Sequence, residues 1–411
     1  MSKAPSNKPA ATNAPAKRSL STRSVRAGLE SDGLHGSVVP PIYLSTNFAF
    51  AGYKQPRKYD YTRSGNPTRD HLSGALADLE GGAGAVVTCT GLSAITLILS
   101  TLPVGARVIA PYDCYGGSYR LLAALHAKGS LNVEFIDQCN PAALEAALAQ
   151  NPKLVWIETP SNPLLRVVDI RAIADAARAV GALSVVDNTF LSPIWQQPLA
   201  LGADLVLHST TKYLNGHSDV VGGAVIAATE ELHASLSWWA NAIGVTGAPF
   251  DSFLTLRGVR TLHARMRVHA ENTTAIVDLL TRHPAVQTVY YPGLKDHPGH
   301  EIAKRQQSSF GAMLSFELAG GEPAVGALLE GLECFTLAES LGGVESLIAH
   351  PASMTHAGME ESARFRAGIH DELLRVSVGI EDPADLVADL SAGLERAAKA
   401  QPAPHLQRRV S

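Results

Sequence analysis

The sequence predicts an α/β protein: a mostly parallel seven-stranded sheet in a three-layer large domain, followed by a smaller α+β domain. Short β-rich runs alternate with helix-period runs between residues 67 and 230, the order from which strand–helix–strand units are built. Most of these β-rich runs are apolar without alternation, as strands covered on both faces are. At 411 residues the chain is also long enough for two or three full hydrophobic cores.

The strand candidates, in order, are 85–88, 107–110, 133–136, 154–157, 183–186, 205–207 and 223–226. The helices between them carry start and stop signals. Asn66 before Pro67 reads as an N-cap with proline in the first turn. Asp169 opens an alanine-rich run that Gly181 closes. An amphipathic pattern from Thr261 to His283, stopped by Pro284, leads into the second domain. There 313–316 and 374–378 read as strands, and the last helix starts with Asp382 as cap and Pro383 in the first turn. These signals divide the chain into a tail (1–21), an N-terminal segment (22–64), a large domain (65–262), a small domain (263–400) and a loose end (401–411).

Composition narrows the function classes. With 34 Lys and Arg against 38 Asp and Glu, a net charge of −4, the chain has no electrostatic footprint for a nucleic-acid partner. No apolar run is long enough to cross a bilayer. Cys89, Cys114, Cys139 and Cys334 lie far apart without metal-ligand spacing, so they are expected to be reduced in a cytoplasmic protein. The first 28 residues hold Lys3, Lys8, Lys17, Arg18, Arg23 and Arg26 and no acid. They read as a disordered, solvated tail, lacking the arginine-rich amphipathic stripe of a transit peptide.

The segment from Ser209 to Asp219 carries the chemistry. It follows the buried run 203–207 and places Lys212 among the hydroxyls of Ser209, Thr210 and Thr211. An ordinary surface lysine in a polar turn has the same local composition. Asp187, however, ends the buried strand before it, where a carboxylate needs a partner to offset its desolvation. A lysine at a sheet mouth, an aspartate on a neighbouring strand end and phosphate-sized donors suit pyridoxal phosphate. Gly91 and Leu92 open an apolar helix after the first strand, and backbone N–H groups at such a start bind anions. No G-x-G-x-x-G or P-loop fingerprint occurs, which argues against nucleotide binding. Tyr115, after the second strand, is either a turn residue or a ring that stacks on a planar cofactor, and Arg120 a candidate for a substrate carboxylate. His208, His217 and Asp219 do not have the spacing of a metal site.

Together with Val185–Phe190 and Glu339–Leu347, these segments resemble the Cys/Met-metabolism family of fold-type I pyridoxal phosphate enzymes, from about residue 22 to 398. The resemblance implies that Lys212 forms the Schiff base with pyridoxal 5′-phosphate and that Asp187 binds its ring nitrogen. It implies that Gly91, Leu92, Ser209 and Thr211 hold the phosphate, that Tyr115 stacks on the ring and that Asn162 approaches the ring hydroxyl. Tyr61 and Arg63, in an otherwise unremarkable polar loop, would reach a neighbouring subunit's site, with Arg63 on the phosphate. Arg375 would clamp the substrate carboxylate, with Ser340 nearby and Arg120, Glu339 and Thr355 completing the substrate site. The family pattern implies a homotetramer, a dimer of dimers with shared sites.

In the resemblance, Glu339 matches the γ-acting branches and disfavours a bacterial β-lyase, and the segments 160–170, 238–247 and 354–359 are most similar to the bacterial γ-synthase branch. That branch makes L-cystathionine from O-succinyl- or O-acetyl-L-homoserine and L-cysteine. The γ-lyase branch, which cleaves cystathionine to cysteine, 2-oxobutanoate and ammonia, is the alternative. Ser64 departs from the arginine some γ-synthases carry there, which bears on recognition of the succinyl carboxylate. A catalytically silent relative would not need every cofactor position filled with the expected residue type, as it is here.

Overall fold

The computed structural model describes residues 18–400; Lys3, Lys8, Lys17 and the segment 401–411 lie outside the described residues. The strands of the large sheet are β1 (Gly84–Thr88), β2 (Ala106–Pro111), β3 (Leu131–Ile136), β4 (Leu154–Glu158), β5 (Leu183–Asp187), β6 (Leu205–His208) and β7 (Gly223–Ala227). They lie in the order β1-β7-β6-β5-β4-β2-β3. From β3 across to β6 every pairing is parallel. Only β7 runs the other way, antiparallel to both β1 and β6. The reason is local. A parallel neighbour needs a crossover, usually helical, whereas the segment 209–222 forms only turns and carries the chain straight back beside β6.

All residues of β1, β4 and β7 are buried, because helices cover both faces of the sheet. Val108, Trp156 and Val185 lead the core on one face, and Ile109, Val155 and Ile157 on the other. Asn66 caps the helix Pro67–Glu80 by accepting from the amides of Thr68 and Arg69. Asp169 caps Ile170–Ala179 by accepting from Ala172 N. Gly181 follows that helix with a φ of 72°, a conformation only glycine adopts without steric cost.

The helix Leu262–Arg282 leads into a second sheet. Its strands are β8 (Val286–Tyr290), β9 (Met313–Leu318), β10 (Thr336–Leu337), β11 (Leu347–Ala349) and β12 (Leu373–Ser377), in the order β10-β11-β12-β9-β8. Phe316, Leu374 and Leu390 share a core that joins this sheet to the final helix Pro383–Ala400, whose Asp382 accepts from Ala384 N at 2.8 Å.

The basic N-terminal segment is structured from the point where it is first described. Ser19 caps a short helix, Leu20–Val25, two residues before the expected start of the N-terminal segment. Arg23 on this helix is ion-paired with Asp78 at 2.7 Å. The following stretch to residue 66 has no helix and only the isolated bridges Asn47–Tyr61 and Gly52–Gln55. It exposes Leu34, Leu44, Phe50 and Tyr53.

Candidate active site

The parallel strands deliver their polar ends to one edge. Glu158 and Asp187 are register partners at the ends of β4 and β5, and Asp187 faces Leu207 on β6. In open α/β sheets this carboxyl edge is where ligands bind. A cavity of about 480 Å³ opens there. It brings together Gly91, Leu92, Tyr115, Asn162, Asp187, Ser209, Thr211, Lys212, Glu339 and Ser340.

Lys212 sits in a tight turn in which Asn215 N donates to Thr210 O and Gly216 N to Lys212 O at 2.8 Å. Its Nζ donates to Ser340 Oγ at 2.7 Å. Burial first, and the Arg375 guanidinium second, lower the amine's pKa to about 8, with Glu339 opposing. An amine so tuned is partly neutral near physiological pH and nucleophilic toward an aldehyde. Ser340 holds a φ of 89°, a region non-glycine residues rarely enter, and such strain clusters at functional sites.

Asp187 accepts from Thr189 N at 3.0 Å. Burial raises its pKa, while Thr189 and His208 oppose the rise. A carboxylate in that state favours ionisation when a cationic ring N–H is set beside it. At the other end of the cavity Thr90 caps the helix Gly91–Ser100 by accepting from Ser93 N. The amides of Gly91 and Leu92 lie in the first turn, beyond reach of any helical carbonyl. A Cβ on Gly91 would meet Ser209 Cβ at 2.9 Å, so glycine keeps this cradle open. The residues present therefore fit an anionic group and a protonated heteroaromatic ring at opposite ends. Thr211 behaves differently from the expectation of a phosphate donor. Its hydroxyl donates to Gly222 O at 3.2 Å and accepts from Gly222 N at 3.0 Å, clasping the loop shut.

Arg375, fully buried on β12, donates to Asn162 Oδ1 at 2.9 Å and to Ser340 O at 2.8 Å. Its Nε has no hydrogen-bond partner among the described residues, and burial lowers its pKa to about 10. An orphaned guanidinium N–H beside the cavity suits a substrate carboxylate. Thr355 Oγ1 lies 2.8 Å from His356 Nδ1, outside the cavity wall, and Arg120 is exposed beside Gly358. Tyr61 and Arg63 are not brought to this cavity. Arg63 instead donates to Asn241 O at 2.7 Å and Asn241 Oδ1 at 2.9 Å, and Ser64 bonds Asp60 and Tyr61 O.

Two groups escaped the sequence reading. Glu158 accepts from Tyr115 N at 2.9 Å, fixing the start of the helix that presents the tyrosine. Burial, then the Asp187 charge, push its carboxyl well above the usual carboxylate range. Like Asp187 it is an acidic residue ending a buried strand, one residue beyond the strand that the apolar run 154–157 predicts. The second is Glu80, whose Oε1 lies 2.6 Å from His208 Nε2 and accepts from Asn188 Nδ2 at 2.8 Å. His208 is thus paired with a helix-terminal carboxylate that nothing in the local sequence marks. No group of three His, Cys, Asp or Glu among the described residues is arranged to hold a metal.

The family model for Cys/Met metabolism PLP-dependent enzymes matches residues 21–395. The chain belongs to this family. Its cofactor is pyridoxal 5′-phosphate. It is 60% identical over 383 residues to a cystathionine gamma-synthase of Escherichia coli strain K12, covering 93% of this chain and 99% of that protein. A cystathionine beta-lyase of Lactococcus lactis is 47% identical, covering 92% of this chain and 99% of the relative. Among solved structures, a cystathionine gamma synthase from Xanthomonas oryzae pv. oryzae in complex with aminoacrylate and cysteine superposes with a TM-score of 0.93. Its identity is 62%, over 93% of this chain and 100% of that one. No helix among the described residues is long and apolar enough to cross a membrane.

Proposed function

We propose that this family member catalyses γ-replacement as a cystathionine γ-synthase, joining L-cysteine to O-succinyl- or O-acetyl-L-homoserine with release of the acid. The observation that carries the reading is 60% identity to a named cystathionine gamma-synthase over nearly the whole of both chains, together with the filled cavity-edge positions described above. Relatives named cystathionine gamma-lyase, at 46% and 45% identity, keep cleavage of cystathionine as the second reading.

When bound, pyridoxal phosphate supplies an electron sink for charge developing at the substrate α-carbon. The protein's own groups do the rest. Gly91, Leu92 and Ser209, with Thr211 as loop clasp, hold the phosphate end. Asp187 would pair with the ring nitrogen and keep it protonated, and Tyr115 and Asn162 would hold the ring from the cavity wall. Lys212 attaches the cofactor and, once released, moves the proton between the substrate α- and β-carbons. Arg375, anchored on Asn162 and Ser340 at the cavity wall, would meet the α-carboxylate, and Ser340 receives the lysine amine between turns. Glu339 lines the distal end of the substrate, whereas Thr355 and Arg120, which lie outside the cavity wall, would have to move to reach it. The enzyme is read as a cytoplasmic homotetramer whose Arg63 and Tyr61 serve a neighbouring subunit. Their distance from their own cavity and the exposed apolar side chains of the arm support this.

A product assay tests the reading on cofactor-loaded protein. Cystathionine forming from O-succinyl-L-homoserine only when L-cysteine is present, with slow cystathionine breakdown, is expected. Rapid 2-oxobutanoate release from cystathionine without net synthesis would replace it with the γ-lyase.

A further inference from the structure

The bond from Lys212 Nζ to Ser340 Oγ joins the two halves of the site from the front. It is made by the amine that reacts, so it cannot hold the halves throughout turnover. A second connection runs behind the cavity, along the helix Leu262–Arg282. Arg265, His269 and Asn272 are spaced four and three residues apart and share one face of that helix, over about 10 Å. All three are buried. Buried polar side chains have partners, and the partners of these three lie in the backbone segments that carry Lys212 and Arg375.

At one end the stripe meets the Lys212 turn. A Cβ on Gly216 would lie 2.1 Å from Arg265 Nη1, and one on Gly258 2.1 Å from Asn215 O, so the turn sits directly on this helix and the one before it. Arg265 is fixed by donating from Nη2 to Gly258 O at 2.9 Å. Tyr213, the residue after Lys212, is fully buried and meets the His269 ring edge-on, with centroids 5.3 Å apart and planes at 81°, a favourable aromatic geometry. At the other end the stripe meets the chain leaving β12, three residues after Arg375. His269 Nδ1 lies 2.7 Å from Val378 O; a carbonyl only accepts, so Nδ1 carries the proton. Asn272 Nδ2 donates to Gly379 O at 3.1 Å and to Glu381 O at 2.8 Å. His269 thus touches both ends. Burial lowers its pKa to about 4, which makes the ring a fixed neutral donor rather than a proton carrier.

We propose that His269 is a positioning residue of the active site, holding the Lys212 turn and the Arg375 strand at a set separation through Tyr213 and Val378 O. It touches none of the reacting atoms. The inference rests on the roles given above to Lys212 and Arg375.

Pyridoxal phosphate-loaded enzyme tests it, with Arg375→Gln as reference. That variant is expected to raise KM for O-succinyl-L-homoserine by about tenfold or more. It should also raise the pH midpoint of the bound cofactor's absorbance change, which reports protonation at the Lys212 nitrogen, because the charges facing Lys212 are Arg375 and Glu339. His269→Phe keeps a ring edge for Tyr213 but has no donor for Val378 O. It is expected to raise KM about three- to tenfold with kcat within about threefold, and to raise the midpoint by about half a pH unit. His269→Asn, whose amide N–H can replace Nδ1, is expected to bring KM back to within about twofold of wild type, and the midpoint with it. Wild-type KM and midpoint in His269→Phe while Arg375→Gln shows both effects, or equal defects in His269→Phe and His269→Asn, would overturn the inference. If His269→Phe does not fold, Asn272→Ala carries the test: a KM about threefold higher supports the inference and a wild-type KM overturns it. An unchanged KM in Arg375→Gln would overturn the site reading beneath it, and the inference with it.

Discussion

The free amine of Lys212 offers the sharpest test of the site's electrostatics. Its pKa of about 8, against an ordinary value of 10.5, means that near pH 8 about half of the amines are neutral, compared with roughly 0.3% for an unperturbed lysine. Stripped of cofactor, the protein should therefore react at Lys212 on the order of 100-fold faster than at a solvent-exposed lysine at that pH. Competitive acetylation over a pH series, read by mass spectrometry, gives the midpoint directly. Two substitutions should move it in opposite directions. Arg375→Gln removes a nearby positive charge and raises the midpoint; Glu339→Gln removes a negative charge and lowers it. A linked effect on stability follows. Between the folded and unfolded values the unfolded chain binds the extra proton, so cofactor-free protein gains stability as pH rises from about 8 to about 10.5, by about 3 kcal/mol from this group. A Lys212 midpoint above about 9.5, or the same direction of shift in both variants, would refute the reasoning.

Further outcomes follow from the packing. Gly91→Ala sets a methyl 2.9 Å from Ser209 Cβ and should weaken pyridoxal phosphate binding by about tenfold or more in an equilibrium titration, with the circular dichroism of the fold unchanged. Glu80→Ala leaves the buried His208 without its hydrogen-bond partner and should cost about 1–3 kcal/mol in urea unfolding. Glu158→Gln should cost least at acid pH, because burial raises the native carboxyl's pKa and the amide oxygen can still accept from Tyr115 N. Since the folded state holds that proton above the usual carboxylate range, wild-type stability should fall as pH rises, and the variant should flatten that slope. Asp187→Asn removes the proposed partner of the ring nitrogen and should lower turnover by about 100-fold or more, read beside a weakened cofactor titration.

Most strands of the large sheet were legible because burial on both faces leaves mainly apolar residues to write them with, the edge strand β3 with Asn132 and Glu134 being the exception. Asp187 and Lys212 stood out for the complementary reason, as polar groups directly after such runs. What was missed depends on distant partners. The reversal of β7 turns on the absence of a helix between residues 209 and 222, which apolar periodicity does not report. Glu80 meets His208 across more than a hundred residues of chain. The positive φ of Ser340 and the closed clasp at Thr211 are products of the assembled loops.

The two sheets divide the labour of the site. The groups proposed to retain the cofactor, Gly91, Asp187, Ser209 and Lys212, belong to the first sheet and its loops, while Ser340 and Arg375 arrive from the second. Inheritance can then act on the halves unequally. Mutations that reshape the second sheet's contribution can redirect which bond of a bound amino acid is broken without endangering possession of the coenzyme. Relatives named gamma-synthase, beta-lyase and gamma-lyase at 60%, 47% and 46% identity are the outcome such an arrangement permits.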